Sequence, residues 1–206
     1  MEQQWSVGIV LFDDVEVLDF AGPFEVLSVT AHPDQHASTQ DMKPFIVKTI
    51  SETGHMVHAR NGLKVQPDYS FSNAPQFDIL VIPGGLGARE REVHNNELIQ
   101  WITDRMQSVQ LMTSVCTGAL LLAKAGLLDG KHATTHWASY ERLQNEFPNV
   151  IVQKNVKFVD EGTIITSGGI SAGINMAFHI VKRLLGAEVA QMTAKRMEYD
   201  IDISLV

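Results

Sequence analysis

Short uninterrupted apolar runs alternate along this chain with stretches in which apolar residues recur every three or four positions. The first kind reads as buried strand and the second as amphipathic helix. Ser6-Val-Gly-Ile-Val-Leu-Phe12, Phe45-Ile-Val-Lys-Thr-Ile50 and Phe77-Asp-Ile-Leu-Val-Ile-Pro83 are strands by this rule. Leu63-Lys-Val-Gln-Pro67 alternates, which suits a short edge strand. Pro23 is expected to open a short helix through Glu25 and Leu27, because proline suits a first helical turn. Helical spacing links Leu98, Trp101, Ile102, Arg105 and Met106, with Asn95 or Asn96 as the cap. A further helix, from Tyr140 to Phe147, stops before Pro148. Ile174, Ala177, Phe178, Val181, Leu184 and Leu185 mark a long one closed by Gly186, and a last helix runs from Ala187 towards Tyr199. Lys157 to Thr166 reads as a hairpin turning near Glu161-Gly162. Ala133-Thr-Thr-His136 is short and β-prone, and the polar stretch from His32 to Asp41 is an exposed loop.

Strands alternating with helices predict an α/β fold, a mostly parallel sheet with helices on both faces. Ligands of such sheets bind beyond the carboxyl ends of the strands. Asp13 to Asp19, Pro83 to Gly87, and Cys116 all fall at such ends. The last sits in Gln110-Leu-Met-Thr-Ser-Val-Cys-Thr-Gly-Ala-Leu-Leu-Leu-Ala-Lys-Ala-Gly126, which reads as strand, sharp turn and helix. Such an elbow lifts a nucleophile out of the fold, and the helix's amino end favours a thiolate. A lone cysteine reads equally well as a small buried hydrophobe.

Composition narrows the classes. At 206 residues, 45% of them hydrophobic, the chain is expected to form one domain over residues 1–206. No apolar run reaches the length of a membrane span, and the first residues lack a basic leader. The single cysteine cannot close an intrachain disulfide, so a cytoplasmic setting is expected. A formal charge of -8 argues against nucleic acid and anionic membrane as partners, a local basic patch aside.

The glycine-rich stretches do not make nucleotide sites. Gly85-Leu-Gly87 lacks the third glycine of the dinucleotide fingerprint, and Ser167-Gly-Gly-Ile-Ser-Ala-Gly173 lacks the lysine of a P-loop. Both read as tight turns; Gly84, Gly85 and Gly87 could also offer backbone N–H groups as an oxyanion hole facing Cys116. Asp19, between Leu18 and Phe20, is either a turn or capping residue before Gly22-Pro23 or a carboxyl that moves protons beside the thiol. Glu16 and Glu25 are weaker candidates for that role. His136 reads as a structural histidine, a base or a substrate contact. The histidines at 32, 36, 55, 58, 94, 132 and 179 form no ligand spacing, and no metal is expected.

Taken together, six stretches resemble the DJ-1/PfpI (ThiJ) superfamily over nearly the whole chain. They are Leu18-Asp-Phe-Ala-Gly-Pro-Phe-Glu-Val26, Ile82-Pro-Gly-Gly-Leu-Gly87, Ser114-Val-Cys-Thr-Gly118, Ala125-Gly-Leu-Leu-Asp-Gly130, Ala133-Thr-Thr-His-Trp137 and Ser167-Gly-Gly-Ile-Ser-Ala-Gly173. The pattern is most similar to the isonitrile hydratase branch and to the amidase-like domain of some AraC-type regulators. The resemblance implies a flavodoxin-like α/β sandwich, a homodimer, no cofactor, and a cysteine that adds to the isonitrile carbon before water yields an N-formamide. It assigns Cys116 as nucleophile, Asp19 as its acid/base partner and Thr117 beside it. Thr117 stands where protease-like members carry a histidine, which weighs against a peptidase. Asn175 replaces the aspartate common in the branch. A regulator needs an appended helix-turn-helix domain, for which no room is expected before Val206. The competing expectations are a glyoxalase- or amidase-like enzyme of the same superfamily, and a non-enzymatic redox or metabolite sensor built on Cys116.

Overall fold

In the computed structural model, which describes residues 3–32 and 43–206, the apolar runs become the middle of one sheet. The elements in chain order are β1 (Trp5–Val10), α1 (Val17–Val29), β2 (Phe45–Ser51), β3 (Val57–His58), β4 (Lys64–Val65), β5 (Tyr69–Ser70), β6 (Ile79–Ile82) and α2 (Leu86–Glu90). Then come α3 (Asn96–Met106), β7 (Leu111–Val115), α4 (Gly118–Lys124), β8 (His132–Ala133), α5 (Tyr140–Glu146), β9 (Ile151–Val152), β10 (Phe158–Asp160), β11 (Ile164–Ser167), α6 (Ala172–Leu185) and α7 (Ala187–Arg196). The main sheet has the order β10-β11-β7-β6-β1-β2-β5. Only β10 runs antiparallel, paired with β11 across the expected hairpin. The remaining pairings are parallel.

Every residue of β6 and β7 is buried. Strands covered on both faces bury every side chain, so these runs do not alternate with charged residues; the polar positions of β7 are the small Thr113 and Ser114, Thr113 donating to the Leu80 carbonyl at 2.9 Å. Helices α1, α6 and α7 pack together as one layer, and α4 gathers α2, α3 and α5 into the other. The result is a flavodoxin-type α/β fold.

Local expectations met two corrections. Helix α1 starts at Val17, and Pro23 lies inside it. Its buried stripe is Asp19, Phe20, Pro23, Val26 and Leu27, so Asp19 occupies an apolar position of the helical pattern rather than a cap or turn. Leu63 to Pro67 is not an edge of the sheet: β4 pairs only with β3, and β5 forms the edge. Pro67 has no N–H to extend that ladder. Asn95 caps α3 as expected, accepting from the N–H groups of Glu97 and Leu98. Of the polar loop expected from His32 to Asp41, residues 33–41 lie outside the described residues.

Adjacent strands β11, β7, β6 and β1 all end on the same side of the sheet. Their following loops carry Ser167–Gly173, Cys116, Pro83–Gly87 and Asp13–Asp19. An antiparallel bridge between Val15 and Gly85 ties two of these loops together.

Candidate active site

Cys116 is the residue at which β7 turns into α4. Its φ of 56° lies in the left-handed region, where a residue other than glycine or asparagine needs the surroundings to hold it. They do so on three sides. Its N–H donates to the carbonyls of Ser167 and Gly168 at 3.2 and 3.0 Å, and its own carbonyl accepts from Thr135 Oγ1 at 2.8 Å. The helix can leave the turn only because position 118 is glycine. A Cβ there would sit 2.0 Å from the carbonyl oxygen of Ile82.

Asp19 reaches the same spot from α1 and is fully buried. Its Oδ2 accepts from Gly84 N–H at 3.0 Å, while Oδ1 has no conventional hydrogen-bond partner. The Cys116 thiol and the Ile170 N–H are near enough to favour the ionised carboxyl. Burial pushes Asp19 up to about 7 against the pull of Gly84, and nearby Glu16 raises it further. Burial also pushes the thiol up to about 12, and the Asp19 charge adds to the effect. The N–H groups of Thr117 and Ile170 and the Thr117 hydroxyl oppose this without reversing it. Desolvation thus outweighs the pull of the amino end of α4 towards a thiolate. A weak acid near neutrality beside a protonated thiol is an arrangement that can hold one proton and pass it.

The glycines have a different job from the one expected. Gly84 N–H serves Asp19, Gly85 N–H donates to Thr117 Oγ1 at 3.0 Å, and Gly87 N–H donates to Asp14 O at 3.2 Å. None is free to receive an oxyanion, because each is already committed to holding the site together. The N–H groups that favour a charged sulfur belong to Thr117 and Ile170. Thr117 Oγ1 also donates to Gly85 O at 3.3 Å, so this buried hydroxyl joins the elbow to the glycine loop.

Ile170 was not singled out from sequence. It is β-branched and has φ 52°, a conformation costing about 1–3 kcal/mol. Only the glycine-rich Ser167–Gly173 stretch signalled an irregular loop there, and glycine content does not say which neighbour is strained. Thr135 was likewise missed. His136 does not join the thiol's donors. Its Nδ1 accepts from Ala138 N–H at 3.3 Å, closing a 3-10 turn over Trp137–Ser139. Burial and the nearby Arg89 cation hold its pKa below the ordinary imidazole value. Its ring lies against Gly169, one residue from Ile170. Asp13 and Asp14 point away from the site, to the His58 N–H and to Arg91 at 2.8 and 2.9 Å. Asn175 is half-buried on α6. Among the described residues, no group of three or more histidine, cysteine, aspartate or glutamate side chains could hold a metal, and no helix is long and apolar enough to cross a membrane.

A mostly parallel α/β sheet carrying a cysteine at a left-handed strand-to-helix elbow defines the class. Within it, the chain belongs to the DJ-1/PfpI family, whose model matches residues 5–183. It is 34% identical to an isonitrile hydratase of Pseudomonas putida over 94% of this chain and 78% of that one. It is 29% identical to the HTH-type transcriptional regulator GbdR of Pseudomonas aeruginosa over 95% of its length, and spans about half (51%) of that protein. A crystal structure of a ThiJ/PfpI family protein from Pseudomonas syringae shares the fold, with a TM-score of 0.84 at 24% identity, covering 97% of this chain and 76% of that one.

Proposed function

We propose that this protein is a cysteine-dependent enzyme that hydrates an isonitrile to an N-formamide. The observation that carries the reading is the buried Asp19 carboxyl, fixed by Gly84 and facing the Cys116 thiol. Asp19 as carboxylate accepts the thiol proton, and the sulfur forms a bond to the terminal isonitrile carbon. Asp19 then gives that proton to the same carbon, leaving a thioimidate with a C=N bond. Water adds to the thioimidate carbon while Asp19 takes one of its protons. Asp19 passes that proton to the nitrogen, and as the C–S bond breaks the adduct's hydroxyl proton moves through Asp19 to the sulfur, so the N-formamide leaves with Cys116 again a thiol. Isonitrile and one water enter and one formamide leaves, so no redox partner is needed. The N–H groups of Thr117 and Ile170 steady the sulfur when it carries charge. A protein of this kind acts in the cytoplasm as a homodimer.

Incubation with cyclohexyl isocyanide and detection of N-cyclohexylformamide tests the reading. Formation of product by the native protein and its loss in Cys116→Ala is the expected result. Absence of product from protein with a reduced thiol overturns it. Methylglyoxal turnover in that same protein moves the activity to the glyoxalase-like class.

A further inference from the structure

We infer that the cleft beside the elbow receives the apolar substituent of the substrate, and that Trp137 selects which substituents are accepted. The inference deepens the isonitrile reading and rests on it. A cleft of about 330 Å³ lies next to the Cys116 turn, walled by Trp137, Tyr140, Val156 and Ile170, with His136 and Lys157 at its polar edge. Trp137 is 72% exposed, and Val156 and Ile170 are each 38% exposed. Scattered apolar side chains on a surface need no explanation, but three sharing one concave wall do.

The cleft is joined to the thiol through its inner wall. Ile170 lines it, and its N–H favours the charged form of the Cys116 sulfur. Thr135, also on the wall, holds the Cys116 carbonyl. Gly168, on the same wall, accepts the Cys116 N–H at 3.0 Å, so we place the reacting carbon at the sulfur and the substituent in the cleft behind this wall. The wall is built, not incidental. A Cβ on Gly169 would stand 2.1 Å from His136 Cδ2, so only glycine leaves room for the imidazole. That ring in turn lies 5.5 Å from the Trp137 ring at an interplanar angle of 36°, fixing one side of the indole. The volume matches the small end of ligand pockets and fits one ring or branched alkyl group. Hence the substrate class is an electrophile bearing an aryl or cycloalkyl group.

Such a wall supplies binding that is the same before and at the transition state, so its loss appears mainly in KM. Trp137→Ala is expected to lower kcat/KM for cyclohexyl isocyanide more than for methyl isocyanide, by roughly 10-fold in the ratio. The difference should sit in KM, and Trp137→Phe should recover most of it. Equal effects on the two substrates overturn the inference, including the case in which sedimentation shows Trp137→Ala separating two copies of the chain. A second measurement works without turnover. Calorimetric binding of N-cyclohexylformamide to Cys116→Ser should weaken roughly 10-fold when Trp137→Ala is added. Undiminished binding overturns the inference. Failure of the native protein to hydrate either isonitrile, with this binding difference intact, counts against the reaction and not against the cleft.

Discussion

Asp19 lies at the centre of the sheet's carboxyl side, and Asp160 at its antiparallel edge on β10. Each accepts one backbone N–H, from Gly84 at 3.0 Å and from Gly162 at 2.8 Å. The difference is in what else surrounds them. Asp160 also accepts from His179 Nε2 at 2.8 Å, and from Arg183 Nη1 at 3.1 Å to both oxygens. Burial pushes Asp160 up, but His179, the Gly162 N–H and Arg183 together hold it below the usual carboxylate range. Around Asp19 the nearest charge is another carboxylate, Glu16, and burial carries it up to about 7. Neutral donors alone therefore do not hold a carboxyl at its ordinary acidity in a dry site; the cations beside Asp160 do, and no cation is among the groups acting on Asp19.

Breaking the Asp19 side of this contrast has the largest expected effect. Asp19→Asn should slow formamide production by roughly 10²–10⁴-fold, the range for losing a proton-transfer group. It should also change stability in a pH-dependent way. Because the folded carboxyl titrates near 7 and the unfolded one at 3.8, the folded state binds more protons between those values. The native protein should thus lose stability as pH rises from about 4 to 7, by roughly 4 kcal/mol, and flatten above. Urea unfolding at a series of pH values should show that slope in the native protein and not in Asp19→Asn.

Thr117→Val removes the hydroxyl that accepts the buried Gly85 N–H and is expected to cost about 1–3 kcal/mol in urea unfolding. Formamide production should fall less than in Asp19→Asn, because the proton-carrying pair remains. The smallest effect is expected at the edge. Asp160→Asn should leave formamide production unchanged and destabilise the protein modestly at neutral pH. Since the folded Asp160 titrates below its ordinary value, that difference should fade as pH falls through the carboxylate range, the opposite sign to Asp19.

The sheet was legible because parallel strands buried on both faces leave unbroken apolar runs, as β6 does. Helix α1 was half hidden for a related reason. Its apolar stripe contains Asp19, and counting that residue as polar erased the first turn and moved the start to Pro23. The cysteine's place at the turn between β7 and α4 was legible from the strand-cysteine-glycine pattern. Which N–H groups are free was not. Gly84, Gly85 and Gly87 are spent on Asp19, Thr117 and Asp14 by the way neighbouring loops meet, which no local pattern encodes. The strained Ile170 was invisible because an isoleucine gives no signal for a left-handed backbone. The thiol's protonation was not legible because a helix amino end is local while burial is tertiary.

The central claim is that Asp19, titrating near neutrality, moves the proton between the Cys116 thiol and the substrate carbon. The pH dependence of kcat/KM for cyclohexyl isocyanide hydration, measured in the native protein and in Asp19→Asn, tests it most directly. The native profile should rise through about pH 7 as Asp19 ionises, and the variant should be slow with that rise gone. The same rise at the native rate in Asp19→Asn would contradict the account.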